Sequence, residues 1–322
     1  MKVLVILGLT MPEVDERLLA RIEEAAGPDG EVLVAASTGE ALELVHDVEV
    51  ILGPITPPLF ERAERLRWVH AITAGADAYL FDAFRDSEVQ LSGDKGLVGS
   101  HLSETAFGLL LALSRRIARS ILDGPKSWDV RVEYRREEFE LEGLTMGIVG
   151  FGGTGRAIAQ RAAAFGMRCI AVDVDAVPPS PEVAEVWGAD RLDELLATSD
   201  VVASGLPLTE ATRNLFDARA FELMKPTAIL VNVTRGEVVD GHALAEAVRT
   251  GQIAGAGLDV APEEPLPASH PLWTTPNVVM TPHTAGASQL RLGRNLERFL
   301  RNIEHLGAGE PLEGQIDKQR GF

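Results

Sequence analysis

Hydrophobic residues in this chain fall into short unbroken runs separated by turns and by stretches in which apolar positions recur at helical spacing. The runs Val3–Leu7, Val32–Ala35, Val50–Leu52, Trp68–Ile72 and Val89–Leu91 read as buried strands, with helical periodicity over Glu16–Ala26 and Leu59–Leu66 between them. Strands alternating with helices predict a parallel sheet covered by helices. A long helical pattern then runs from about Leu102 to Leu122, with Arg115, Arg116 and Arg119 toward its end, and a charged stretch without periodicity follows from Asp123 to Glu142. Strand candidates resume at 146–150, 169–173, 200–204, 228–233, 255–259 and 278–281, forming a second β/α unit. The last helix, Ser288–Leu306, comes after the strands of that unit are used up, so it is expected to cross back to the first. The pattern predicts an α/β protein of two Rossmann-like, doubly wound parallel-sheet domains separated by a hinged cleft. Residues 1–100 with 288–322 form one domain and 101–287 the other.

Chemistry enters at Met146-Gly-Ile-Val-Gly-Phe-Gly-Gly-Thr-Gly155, where an apolar run ends in Gly150-x-Gly152-x-x-Gly155. Such a triplet suits a dinucleotide: one glycine for a tight turn, one for close approach of backbone to a pyrophosphate, one for helix–strand packing. In a chain with 31 glycines the triplet alone is weak, but its context is not. A buried strand precedes it, and Ala157, Ile158, Ala162, Ala163 and Phe165 follow at helical spacing before Gly166. A second strand then ends in Asp173, 18 positions after Gly155, where this fold places an acid for the ribose hydroxyls. A carboxylate there repels a 2′-phosphate, and no Arg or Lys lies between Arg168 and Arg191 to neutralise one, so NAD is expected rather than NADP.

Composition narrows the class. The 322 residues, 46% hydrophobic, suit two domains with ordinary cores and a cytoplasmic enzyme. A net charge of −18 argues against nucleic-acid binding, and no apolar run is long enough to span a bilayer. The single Cys169, within an apolar strand, excludes an intrachain disulfide and a Cys-based zinc site and reads as a buried structural thiol; no metal site is expected.

Three further segments are Asn232-Val-Thr-Arg-Gly-Glu-Val-Val-Asp240, Gly257-Leu-Asp-Val-Ala-Pro-Glu-Glu-Pro265 and Thr281-Pro-His-Thr-Ala-Gly286. With the fingerprint and Asp173, and with Leu206-Pro-Leu-Thr-Glu-Ala-Thr212 and Phe221-x-x-Met-Lys-Pro226 between them, the chain resembles the D-isomer-specific 2-hydroxyacid dehydrogenase family, strongly from about Val89 onward. The resemblance implies an NAD-dependent oxidoreductase that interconverts a D-2-hydroxy acid and its 2-oxo acid. Glyoxylate or hydroxypyruvate is the first substrate choice, 1–100 with 288–322 the substrate domain and 101–287 the NAD-binding domain. Arg235 takes the role of orienting cation, because a guanidinium fork grips a carboxylate and a carbonyl together. His283 takes the acid–base role, and Glu264, rather than its neighbour Glu263, is the carboxylate that fixes the tautomer of His283 and favours the imidazolium. Cofactor contacts are implied at Gly150, Gly152, Gly153, Thr154, Gly155, Asp173, Leu206, Pro207, Val233, Thr234, Asp259 and Gly286, with Asp259 helping to hold the nicotinamide carboxamide. In the first domain, Ile72-Thr-Ala-Gly-Ala-Asp77 resembles the loop whose amides bind the substrate carboxylate, through Ala74 and Gly75. Leu52-Gly-Pro-Ile-Thr-Pro57 is expected to shape the side-chain pocket. A homodimer is implied, using Leu102–Leu122 and the 123–142 stretch.

The chain departs from the family pattern at Gly153 and Thr154, where a charged residue and Ile are commoner, and at Thr234, Glu237 and Gly241. None of these removes a catalytic role. Two alternatives belong beside the main reading. A corepressor-like NADH sensor shares the architecture but does not need the Arg–Glu–His set. A formate- or phosphite-type dehydrogenase needs no general acid–base pair, which weighs against it here.

Overall fold

The computed structural model describes residues 1–73 and 75–322. The chain forms two compact units, Met1–Val98 with Ser288–Phe322 and Gly99–Ala287. Strands of the first unit are β1 (Lys2–Ile6), β2 (Glu31–Ala35), β3 (Val50–Leu52), β4 (Trp68–His70) and β5 (Gln90–Ser92). They pair in parallel in the order β2-β1-β3-β4-β5, Val3 opposite both Val32 and Val50. The second unit holds β6 (Thr145–Val149), β7 (Arg168–Asp173), β8 (Val186–Gly188), β9 (Val201–Ser204), β10 (Ile229–Asn232), β11 (Gly255–Leu258) and β12 (Val278–Met280). Its order, β12-β11-β10-β9-β6-β7-β8, is also parallel throughout. Strand order reverses between β1 and β3 in one sheet and between β6 and β9 in the other, and such switch points are where open α/β sheets bind ligands.

Both faces of each sheet are covered, which is why the strands read as continuous apolar runs. In the second unit the helices Gly99–Ser114 and Gly153–Ala164 cover one face through Phe107, Leu110, Ile158 and Ala162. Leu195, Phe221 and Leu244 from three other helices cover the opposite face. In the first unit, Leu59, Tyr79 and Phe84 back one face. The helices Glu16–Ala26 and Arg291–Ala308 back the other, with Ile22, Phe299 and Ile303 packed on Val3, Val5 and Trp68. The last helix therefore belongs to the first unit.

Three elements differ from the sequence pattern. The long helix expected over Leu102–Leu122 is two helices, Gly99–Ser114 and Ile117–Asp123. They are divided at Arg116, which takes a left-handed φ of 52° and is held there by Glu137 at 3.1 Å and Asn277 at 3.1 Å. Neither Gly nor Pro marks the break, so the periodicity runs through it. The charged stretch beyond it contains a further helix, Arg131–Glu137, and β8 is a short, partly exposed edge strand without an apolar run to announce it.

A buried aromatic and polar layer joins β4 to the last helix. Trp68 stacks on Phe299 with ring centroids 5.1 Å apart, and the Ser92 hydroxyl accepts from Trp68 Nε1 at 2.9 Å and Asn302 Nδ2 at 3.4 Å. With both acceptor positions of that hydroxyl used, its proton goes to His70 Nδ1 at 2.7 Å, so His70 is the neutral Nε2–H tautomer. Burial, reinforced by Arg298, pushes the His70 imidazole down to about 3. An unfolded His titrates near 6.5, so between those values the unfolded chain binds the extra proton and stability is lost as pH falls. Urea unfolding at pH 7.5 and pH 5 should show His70 alone removing about 2 kcal/mol over that interval. His70→Asn should flatten the slope by that amount; an unchanged slope refutes the account.

Candidate active site

The site grows from the carboxyl ends of neighbouring strands. Beyond β10, the Asn232 side chain folds the chain back on itself: its Oδ1 accepts from Thr234 N and Thr234 Oγ1, both at 3.1 Å, and its Nδ2 donates to Arg235 O at 2.8 Å. Thr234 Oγ1 also meets Ser204 Oγ at 3.0 Å, tying the end of β9 to that of β10, so the larger residue at this departure from the family pattern has a buried use. This turn presents Arg235, half-buried, whose Nη1 donates to Thr234 O at 2.8 Å. Next to it Gly236 has no room for a side chain, because a Cβ there would lie 1.7 Å from Ala261 O. The Arg235 turn and the loop after β11 are thereby packed backbone to backbone.

That loop carries Glu264. Its Oε1 accepts from Ala261 N at 3.0 Å, which leaves Oε2 to meet His283 Nδ1 at 2.6 Å. Of the two adjacent acids, it is Glu264 and not Glu263 that the fold brings to the histidine. His283 follows β12 and adopts φ 53°, a left-handed conformation that a residue with a Cβ seldom takes. It stays there because Asp259, buried at the end of β11, grips the segment on both sides. Asp259 Oδ1 accepts from Thr281 Oγ1 at 2.6 Å and Thr284 N at 3.0 Å, Oδ2 accepts from Ala285 N at 2.9 Å, and Asp259 O accepts from His283 N at 2.7 Å. The sequence pattern does not announce this clamp; there Asp259 stands only as a nicotinamide contact. His283 and Glu264 keep 45% and 38% side-chain exposure, so the pair is open to a reactant and to solvent protons.

At the switch point the fingerprint loop is built as a dinucleotide cradle. Gly150 has φ 90°, and Gly155 packs so closely that a Cβ would sit 2.2 Å from Gly150 O. A third partner, Gly205 after β9, would put a Cβ 2.4 Å from the same oxygen. Gly205 is not recognisable in the sequence, because a lone glycine at a strand end carries no pattern. A Cβ on Gly152 would meet nothing within 4 Å, so this face is open where backbone must approach a phosphate. Gly153 and Thr154 begin the helix, whose first amides are the donors an anion meets. Asp173 closes the loop by accepting from Phe151 N at 2.7 Å and Asp175 N at 2.9 Å. Arg156 also lies here, over the Phe151 ring at 4.7 Å and donating to Pro178 O and Pro179 O. It stands on the helix, outside the interval from Arg168 to Arg191 in which a cation was expected to matter. Leu206 and Pro207 are half-buried after β9, while Val233 is buried in the core beside β10. Gly286 follows the His283 segment, half-buried.

In the first unit the loop after β4 has an unusual backbone economy. The carbonyls of Ala71, Ile72, Thr73, Gly75 and Ala76 all accept hydrogen bonds, from Asn295 Nδ2, Arg291 Nη2, Asp94 N, Thr73 Oγ1 and Tyr79 N. Among the described residues, the amides of Thr73, Gly75 and Ala76 have no acceptor. Carbonyls engaged and amides available are the backbone arrangement that suits an anion. Ala74, the other residue expected there, lies outside the described residues. In the loop after β3, Ile55 is buried in the core, so of that expected pocket segment Pro54 and Thr56 are half-buried and Pro57 alone is exposed. Cys169 is half-buried, its Sγ near Ala159 O at 3.7 Å, and burial pushes its thiol up to about 11, which leaves it no nucleophilic role at neutral pH.

The same architecture is found in known proteins. A family model described as the NAD-binding domain of D-isomer specific 2-hydroxyacid dehydrogenases matches residues 107–285. A glyoxylate reductase from Korarchaeum cryptofilum is 34% identical over 317 residues, covering 92% of each chain. A D-isomer specific 2-hydroxyacid dehydrogenase family protein from Aeromonas salmonicida superposes with a TM-score of 0.80 at 31% identity, over 98% of this chain and 99% of that one. An NADPH-dependent glyoxylate/hydroxypyruvate reductase from Sinorhizobium meliloti, solved with NADP and sulfate, gives 0.79 at 26% identity, over 100% and 99%.

Removing the Asp259 carboxylate leaves two amides and a hydroxyl without their acceptor. Asp259→Ala is expected to cost roughly 2–4 kcal/mol in urea unfolding and to speed hydrogen exchange at residues 283–285. A change below about 0.5 kcal/mol with unaltered exchange contradicts the clamp.

Proposed function

Because this chain belongs to the D-isomer specific 2-hydroxyacid dehydrogenase family, we propose that it is an NAD-dependent enzyme interconverting a D-2-hydroxy acid and its 2-oxo acid, with glyoxylate or hydroxypyruvate as substrate. The observation that carries this reading is the 2.6 Å contact between His283 Nδ1 and Glu264 Oε2, built beside the turn that presents Arg235. The likeness to glyoxylate reductases supports the substrate choice.

A nicotinamide dinucleotide held at the fingerprint loop would supply the hydride that reduces the 2-oxo carbon. Arg235 holds the substrate carboxylate and carbonyl oxygen and draws charge toward that oxygen. The Nε2 proton of the His283 imidazolium passes to the same oxygen as its negative charge develops, and the product is the 2-hydroxy acid. Throughout, Nδ1–H stays on Glu264, so the ring loses its proton from the side facing the substrate and regains one from solvent. In oxidation His283 accepts the hydroxyl proton. The amides of Gly75 and its neighbours, with Ala74 among them, take the substrate carboxylate. Gly150, Gly152, Gly153, Thr154 and Gly155 would hold the pyrophosphate, Asp173 the adenosine ribose, and Leu206, Pro207, Thr234 and Gly286 the remainder of the cofactor; Val233 and Asp259, expected among these contacts, are buried.

Asp173 supports NAD over NADP. One observation favours the second reading: Arg156 brings a guanidinium to the loop after β7, and the Sinorhizobium meliloti relative was solved with NADP. Initial rates with glyoxylate, hydroxypyruvate and pyruvate, each with NADH and NADPH, rank the substrates and decide the cofactor. Turnover of none of them rejects the reaction. His283→Ala should lower kcat by about a thousandfold or more while NADH affinity changes little. A loss of NADH binding in that variant removes the assigned role.

Among the described residues no helix is long and apolar enough to cross a membrane, and we place the enzyme in the cytoplasm. Ile117, Ile121, Leu122, Trp128 and Val132 expose apolar side chains along one short segment, with Leu122 83% and Trp128 75% exposed. Apolar surface of this kind marks an association site, and it supports a homodimer formed through this segment. Light scattering at micromolar concentration should give twice the chain mass, and Leu122→Glu with Trp128→Glu the mass of one chain. A wild-type monomer refutes the dimer.

A further inference from the structure

The last helix, Arg291–Ala308, turns an unexpected stripe toward its own unit. Arg291, Asn295, Arg298 and Asn302 recur at intervals of four, three and four, which places them on one side of a helix, among the apolar Leu296, Phe299 and Ile303. A purely structural helix would fill such a face with aliphatic side chains. Here Asn295 and Asn302 are buried, and so is the carboxylate that Asn295 meets, Asp94 in the loop after β5.

Asp94 is the hub. Its Oδ2 accepts from Arg291 Nε at 2.8 Å, its Oδ1 from Asn295 Nδ2 at 2.7 Å, and its own amide donates to Thr73 O at 3.1 Å. Both donors then reach one step further. Arg291 Nη2 donates to Ile72 O at 3.0 Å, and the second proton of Asn295 Nδ2 goes to Ala71 O at 3.1 Å. Three consecutive carbonyls are thus held by three residues that also hold one another. Arg298 fixes the floor beneath them, donating to Gly93 O at 2.8 Å and Lys95 O at 2.7 Å. A charge this deep is stable only with its partners in place, so the cluster has one arrangement rather than several.

We propose that Asp94, Arg291 and Asn295 are positioning residues for substrate binding: they hold the carbonyl oxygens of Ala71, Ile72 and Thr73 inward so that the substrate carboxylate meets the amides of Thr73, Gly75 and Ala76 and not these carbonyls. A single carbonyl turned outward would set a partial negative charge against that carboxylate. The inference rests on the proposed 2-oxo acid reaction and adds to it the residues that shape the carboxylate site without touching the substrate. It also gives the last helix a chemical task. None of the three stands among the residues proposed to hold the cofactor, so their loss should be felt in substrate affinity.

The test uses the NADH-saturated full chain. In Arg291→Lys, which keeps a cation for Asp94 but not the reach to both partners, and in Asn295→Ala, KM for the best 2-oxo acid should rise roughly tenfold or more, with kcat within about threefold and NADH affinity unchanged. Arg291→Met should be worse than Arg291→Lys, and if it fails to fold the other two variants still decide. Oxamate, an unreactive carboxylate of substrate shape, is titrated in parallel by calorimetry and should bind the variants correspondingly more weakly. Folded variants with unchanged KM and unchanged oxamate affinity overturn the proposal, as does an equal loss in kcat, NADH affinity and thermal stability. If the wild type reduces no 2-oxo acid yet binds oxamate, and the variants do not, the carboxylate site stands and only the reaction assigned to it falls. If the wild type neither turns over nor binds oxamate, both fall.

Discussion

A single buried carboxylate sets the geometry of the candidate site. Asp259 ends β11, is 1% exposed, and gives its oxygens to Thr281, Thr284 and Ala285, so that the segment after β12 must wrap around it. His283 lies at the middle of that wrap, in a left-handed conformation that would relax to an ordinary one if the grip were released. The imidazole reaches Glu264 because both are referred to the same anchor, one through the backbone of β11 and the other through the clamp. Gly236 then locks the Arg235 turn against the loop that carries Glu264. The three polar side chains proposed for the chemistry are therefore placed by one buried ion and one missing Cβ, on the ends of three adjacent strands. Rigid strand ends hold such groups better than free loops do.

Much of this is legible in the order of residues alone, and the reason is local. Strands buried on both faces are visible as apolar runs, and the fingerprint, Asp173, Arg235, Glu264 and His283 sit in short segments whose residue types are dictated by close packing or by chemistry. Even the choice of Glu264 over Glu263 rests on position within such a segment, and the hydrogen bond to His283 agrees with it. Contacts between distant stretches are invisible at that level. Arg291 and Asp94 are 197 positions apart, and Arg291 looks in the sequence like any exposed arginine on an amphipathic helix. Gly205 and Arg156 escape for the same reason, since each acquires meaning only from a neighbour brought up by the sheet. The break at Arg116 escapes because a tertiary ion pair and a hydrogen bond to Asn277, rather than a glycine or proline, stop the helix.

The two units handle exposed backbone in opposite ways. At the fingerprint, backbone is exposed by removing side chains, and glycines let the chain come close to itself and to a phosphate. In the loop after β4, backbone is sorted by adding side chains, whose donors occupy the carbonyls and leave the amides. The first device is written in residue type and is conspicuous. The second is written in long-range pairing and leaves almost no trace in composition, although it buries a carboxylate and a guanidinium to do so.

The return of the last helix to the first unit has a consequence for how the protein is made. Synthesis proceeds from the N-terminus, and β1 to β5 emerge early, with the loop after β4 already in hand. Arg291 and Asn295 follow only after the whole second unit has been translated. Until then Asp94 lacks the side chains of Arg291 and Asn295, and the carbonyls of Ala71 and Ile72 lack their donors, so the loop remains unsorted. The order of translation thus makes the fingerprint loop before the loop proposed for the substrate carboxylate can be sorted, since that sorting waits for the last helix.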